Sequence, residues 1–101
     1  MSDLVLVVTL DVKPEARDDF RTYETLAART MVRHGGRIER VVVAREAAPH
    51  REVHLVRFPS EAAFAAYRAD PALAAAAHLR ERSVVATTIV AGEDGPDYHA
   101  D

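Results

Sequence analysis

The residue pattern predicts an α+β domain in the order β-α-β-β-α-β, the split βαβ or ferredoxin-like arrangement, with a four-stranded antiparallel sheet and both helical segments on one face. Three observations lead there. Short β-branched runs stand near both ends, Leu4 to Leu10 and Val84 to Ala91. A helix-period stripe follows the first run, and two further strand-like segments, Arg37 to Arg45 and Glu52 to Phe58, are separated by a short link. At 101 residues there is a single core to build, and 49% hydrophobic with 29% charged residues is a globular composition that excludes intrinsic disorder. With no cysteine, a disulfide scaffold is excluded too.

Each element has a local cause. Leu4 to Leu10 is apolar, β-branched and bounded by polar residues, which suits a strand. Lys13-Pro14-Glu15 then opens a helix, because proline fits the first helical position and Glu15, Asp18 and Asp19 complement the positive end of the dipole. Ala16, Phe20, Tyr23, Ala27 and Met31 form one apolar stripe along it, and Gly35-Gly36 stops it where a left-handed residue is needed. Arg37 to Arg45 and Glu52 to Phe58, joined by Glu46-Ala47-Ala48-Pro49-His50-Arg51, read as a hairpin. Pro59-Ser60 supplies a stop and an N-cap for a helix over Glu61 to Ala69, and Asp70-Pro71 caps and restarts it through Arg82. Val84 to Ala91 closes the sheet.

Alternation makes both faces of the first and last strands apolar. Leu4, Leu6, Val8 and Leu10 oppose Val5, Val7 and Thr9, while Val84, Ala86, Thr88 and Val90 oppose Val85, Thr87, Ile89 and Ala91. Helices on one side cover only one face. The other would be a large exposed apolar patch, and a second copy of the same sheet is the simplest cover, so a homodimer with sheets face to face is expected.

The net charge of −3 gathers at the end of the chain, where Glu93, Asp94, Asp97 and Asp101 meet no Lys or Arg. Residues 1–92 hold 13 basic and 12 acidic side chains, and their arginines are scattered, so the stripe that tracks a phosphate backbone is missing and nucleic acid is not an expected partner. The apolar runs fall short of the ~20 residues of a membrane helix, and no basic-then-apolar leader precedes them. The expectation is a soluble, cytoplasmic protein, with residues 1–92 forming the domain and 93–101 an acidic, mobile tail.

The run His54-Leu55-Val56-Arg57-Phe58-Pro59-Ser60 through Tyr67-Arg68-Ala69-Asp70-Pro71 resembles the strand-FPS-helix-"Y-x-x-[SD]-P" signature of the bacterial domain of unknown function 1330 family, and Arg33-His34-Gly35-Gly36-Arg37 is similar to its arginine-rich turn with paired glycines. The resemblance implies a dimeric α/β barrel, the superfamily that also holds antibiotic-biosynthesis monooxygenases, polyketide cyclases, muconolactone isomerases and stress-responsive barrel proteins. The chain departs from many relatives at Asp70-Pro71-Ala72-Leu73, where a Ser-Pro-Glu-Tyr type sequence is usual; Leu73 lacks the aromatic hydroxyl.

His54 is the first candidate for chemistry. It shares a strand face with Val56 and Phe58, which places an imidazole that titrates near neutrality among apolar neighbours, able to serve as base or acid. The competing reading is a core histidine paired to a buried partner. Tyr23, in the helix stripe, is the candidate to orient a ligand carbonyl, or else a core tyrosine with its hydroxyl at the rim. His34, Arg57 and Tyr67 are the candidate ligand contacts. Each has a structural alternative: His34 as a cap on the helix dipole, Arg57 on the opposite sheet face as an ion pair across a dimer, and Tyr67 as packing. His78 reads as solvent-facing. His50, Glu52 and His54 alternate along one strand face, but His50 and His54 stand ~13 Å apart between Cα atoms, too far to share an ion, so no metal is expected. Ser2, Ser60 and Ser83 lie outside any nucleophile elbow, and no glycine-rich phosphate loop is present. Two functions follow. One is a cofactor-independent enzyme performing proton transfer, cyclisation or monooxygenation on a small hydrophobic metabolite, with His54 and Tyr23 as the acid–base pair. The alternative is a non-catalytic dimeric protein that binds a small molecule or acts as an accessory.

Overall fold

Every strand signal in the sequence joins one antiparallel sheet in the computed structural model, which describes residues 2–46 and 48–99. The elements are β1 (Leu4–Val12), a 3-10 turn (Pro14–Ala16), α1 (Arg17–Arg33), β2 (Arg37–Val43), β3 (His50–Phe58), α2 (Glu61–Arg68), α3 (Pro71–Ser83) and β4 (Val84–Gly92). The strand order is β2-β3-β1-β4, with every neighbouring pair antiparallel. This is the α+β ferredoxin-like arrangement. Ala47 of the hairpin link, and Ala100 and Asp101 of the expected tail, lie outside the described residues.

The element ends differ from the composition-based boundaries for reasons of pairing. β1 and β3 pair over nine residues each, from Leu4 opposite Phe58 to Val12 opposite His50, so both run past their apolar stretches. The polar residues that would end them face each other instead: Asp11 lies opposite Arg51, and their side chains join at 2.6 Å. β2 stops at Val43, short of Arg45, and is irregular between Ile38 and Arg40. Pro14 starts a 3-10 turn, with the α-helix proper following from Arg17.

Caps form where the sequence places them. Gly35 takes φ 77° after α1, and the amide of Gly36 returns to the carbonyl of Met31 at 2.9 Å. Ser60 accepts from the amide of Ala63 at 3.0 Å, and Asp70 from that of Ala72 at 2.9 Å. Under the helices, Leu6, Val56 and Phe58 of the sheet pack with Met31 and Tyr67, while Leu10 and Val12 pack with Phe20. The opposite face carries no helix. There Val7 pairs with Leu55 and Val90, and Val53 with Thr9 and Val42, which leaves Val42 50% and Val90 68% exposed. The apolar back of the sheet is therefore open in the single chain. Among the described residues no helix is long and apolar enough to cross a membrane.

Candidate functional site

A cavity of about 480 Å³ lies between the helices and the sheet, within the range of ~300–1,000 Å³ usual for small-molecule sites. Leu6, Met31 and Phe64 contribute apolar wall, and His54, Tyr23, Glu24, Tyr67 and Arg80 contribute polar groups. Thr87 and Ile89 bring β4 to its rim, where Ile89 stays 53% exposed because the helices do not reach across that edge strand. A second hollow, of about 420 Å³, lies beside Asp3, Glu61 and Glu93 at the sheet edge, and its charged lining is carboxylate alone, with no cation.

The strand register positions the central group. Glu52, His50 and His54 sit two residues apart on β3, so all three point under the helices, and all are buried. The carboxylate of Glu52 lies between the two rings. His54 Nε2 meets its Oε1 at 2.9 Å, His50 Nε2 meets its Oε2 at 2.9 Å, and Arg21 reaches Oε2 at 2.9 Å. Burial pushes the Glu52 carboxyl up, but the hydrogen bonds from His54 and His50 and the charge of Arg21 outweigh that and hold it below the usual range. An ionised carboxylate only accepts, so both Nε2 atoms donate, which leaves the Nδ1 of a neutral His54 as its lone-pair nitrogen.

Glu24 Oε2 stands 3.6 Å from that Nδ1. Burial raises the Glu24 carboxyl, offset in part by the charges of His54, Arg80 and Arg21. The ring of His54 therefore lies between a carboxylate held ionised at Nε2 and a carboxyl pushed toward its neutral form beside Nδ1. Phe20, with its ring centroid 6.5 Å from that of His54, closes the inner side. Burial also raises the hydroxyls of Tyr23 and Tyr67, so both remain neutral donors at physiological pH.

The cavity brings together three of the five residues singled out from sequence: His54, Tyr23 and Tyr67. The other two lie elsewhere. His34 Nε2 meets Asp70 Oδ2 at 2.8 Å, tying the end of α1 to the cap of α3. Arg57, on the open sheet face, donates to Glu39, Asp3 and Asp94 of its own chain. His78 is exposed. Sequence reasoning missed Glu24 and Arg80. Glu24 carried a signal, since it lies four residues after Phe20 and three before Ala27, on the buried face of α1. The His50–Glu52–His54 alternation carried a signal too, since residues two apart share one face of the strand. Its members bond one another, and among the described residues no group of His, Asp and Glu has metal-holding geometry.

Solved structures share this architecture. A protein of unknown function, RPA0582 from Rhodopseudomonas palustris, superposes with TM-score 0.79 at 15% identity, covering 95% of this chain and 85% of its own. SnoaB from Streptomyces nogalater, described as a cofactor-independent oxygenase, gives 0.72 at 16% identity over 96% and 97% of the two chains. A Caulobacter crescentus protein named as a candidate antibiotic biosynthesis monooxygenase gives 0.75 at 18% identity over 94% and 92%. At such identities the likeness is one of fold. No curated protein matches the chain. The model of the family described as Domain of unknown function (DUF1330) matches residues 6–93 and takes in both sides of the cavity. The chain belongs to the DUF1330 family.

Proposed function

We propose that the cavity is the active site of a small acid–base enzyme that acts on a hydrophobic carbonyl compound without a bound cofactor, with His54 as base and Tyr23 as donor to the carbonyl oxygen. The observation that carries this reading is the 2.9 Å hydrogen bond from Nε2 of His54, which lines the cavity, back to the Glu52 carboxylate buried behind it. It fixes the tautomer and stabilises the imidazolium that forms when Nδ1 takes a proton. In that step the C–H bond next to the carbonyl breaks, its electron pair becomes the enolate, and the negative charge gathers on the oxygen that the Tyr23 hydroxyl faces. Returning the proton from Nδ1 to another carbon gives an isomer. Cyclisation and oxygenation can begin from the same enolate, and the shared fold of SnoaB, a cofactor-independent oxygenase, supports that breadth. The working unit is a homodimer with the open sheet faces packed together.

Deuterium exchange tests the chemistry. In deuterium oxide near neutral pH, the wild type should accelerate loss of the α-proton signal of β-tetralone in NMR spectra, and His54→Gln should lower that rate by about 10²-fold or more. No acceleration over buffer, or an unchanged rate in the variant, would remove His54 as base. One observation favours the non-catalytic alternative: no buried side-chain polar atom among the described residues lacks a partner, as a purely structural cluster requires. That alternative predicts ligand binding with no exchange.

A further inference from the structure

The charged side chains lining the cavity are unevenly matched. Arg80, in the last turn of α3, donates to Thr87 Oγ1 on β4 at 2.8 Å and makes no ion pair among the described residues. Arg68, at the end of α2, also lines the cavity and lies over the Phe64 ring, 5.4 Å from its centroid, with no carboxylate partner among the described residues. Arg21, Arg33, Arg37, Arg51, Arg57 and Arg82 each meet a carboxylate, while Arg17, Arg29, Arg40 and Arg45, outside the cavity, meet none among the described residues. The cavity thus holds two cations against a single lining carboxylate, Glu24, whose ionisation burial opposes.

A guanidinium presents five N–H donors in a planar fork that matches a carboxylate, and the bond to Thr87 anchors the fork while leaving donors over. The apolar wall of Leu6, Met31 and Phe64 stands in the same cavity. We propose that this cavity binds a hydrophobic carboxylate, its anionic group taken by Arg80 and its apolar body packed on Leu6, Met31 and Phe64. Arg80 is then the specificity-determining residue, and Arg68 adds longer-range attraction at the mouth. The proposal rests on the cavity being the functional site and is independent of proton transfer by His54. The competing role for Arg80 is a latch that joins α3 to β4 and faces the negative end of the helix dipole.

Calorimetric titration with β-naphthoate and its neutral isostere β-naphthamide separates these roles. The wild type should bind the acid at least about tenfold more tightly than the amide, as a charge-assisted contact predicts. Arg80→Met, which keeps the length of the side chain, should bring the ratio to about one while leaving amide affinity unchanged. Deuterium exchange by the same wild-type protein is read separately, so a failure of the acid–base reading would appear there and not in this ratio. If Arg80→Met loses both ligands, Arg80→Lys decides, with a retained preference for the acid expected. Equal affinity of acid and amide in the wild type, a preference that survives Arg80→Met or disappears in Arg80→Lys, or no binding of either compound at millimolar concentration would overturn the assignment.

Discussion

Replacing Glu52 with Gln keeps its shape and removes its charge, so the two histidines and Arg21 lose the ionised acceptor they share. A loss of about 1–3 kcal/mol in urea-unfolding stability at pH 7 is expected for a buried charge-assisted network. The sign with pH follows from the lowered carboxyl: its stabilisation is complete above the unfolded value of 4.5 and is lost as pH falls through the folded one, so wild type and variant should converge in acid. Glu24→Gln should behave oppositely. Its raised carboxyl penalises the ionised fold increasingly as pH rises above 4.5, so this variant should match or exceed the wild type at pH 7 and lose any advantage below 4.5. These two glutamates also mark what was legible. His54 could be read from strand alternation, because an imidazole between Val56 and the polar end of the strand must point under the helices. The partner that governs it could not be read as such: a Cα separation excludes a shared ion but does not reveal that one carboxylate, with an oxygen for each ring, fits between histidines four residues apart. Arg80 gave still less sign, since a long basic side chain on an alanine-rich helix looks solvent-bound until its neighbours are known.

At the scale of elements, the turn after α1 is the most sharply specified feature. Gly35 needs its left-handed backbone, and a Cβ on Gly36 would run into the Phe58 ring, which is fully buried. Gly36→Ala should therefore cost about 1–3 kcal/mol by overpacking, read as a lowered thermal midpoint, because the ring has no free side to move into. Helix starts and stops were legible because their causes are local: Ser60, Asp70-Pro71 and Gly35-Gly36 each act within a few residues. The length of β1 and β3 was not, because Asp11 and Arg51 look like strand terminators until each is given the other as a cross-strand partner.

For the whole molecule the open sheet back is what supports the proposed dimer. Val7, Leu55, Val53, Val42 and Val90 form a surface that a soluble monomer would leave wet, and a second copy burying ~800 Å² on each subunit would cover it. Light scattering should give a dimer mass for the wild type and a monomer mass for Leu55→Glu; a monomeric wild type would remove the dimer from the proposal. Both halves of the α+β topology were readable from period alone, since an apolar strand with no polar face demands two covers. A pocket between helices and sheet was expected from the layering, but its polar lining by Glu24 and Arg80 depends on how the helices pack together. Arg57 holds Asp3, before β1, and Asp94, after β4, on the same guanidinium. The folded unit is therefore a nearly closed loop of chain, fastened by one clasp, and any peptide attached before residue 3 or beyond residue 94 departs from the same point on its surface.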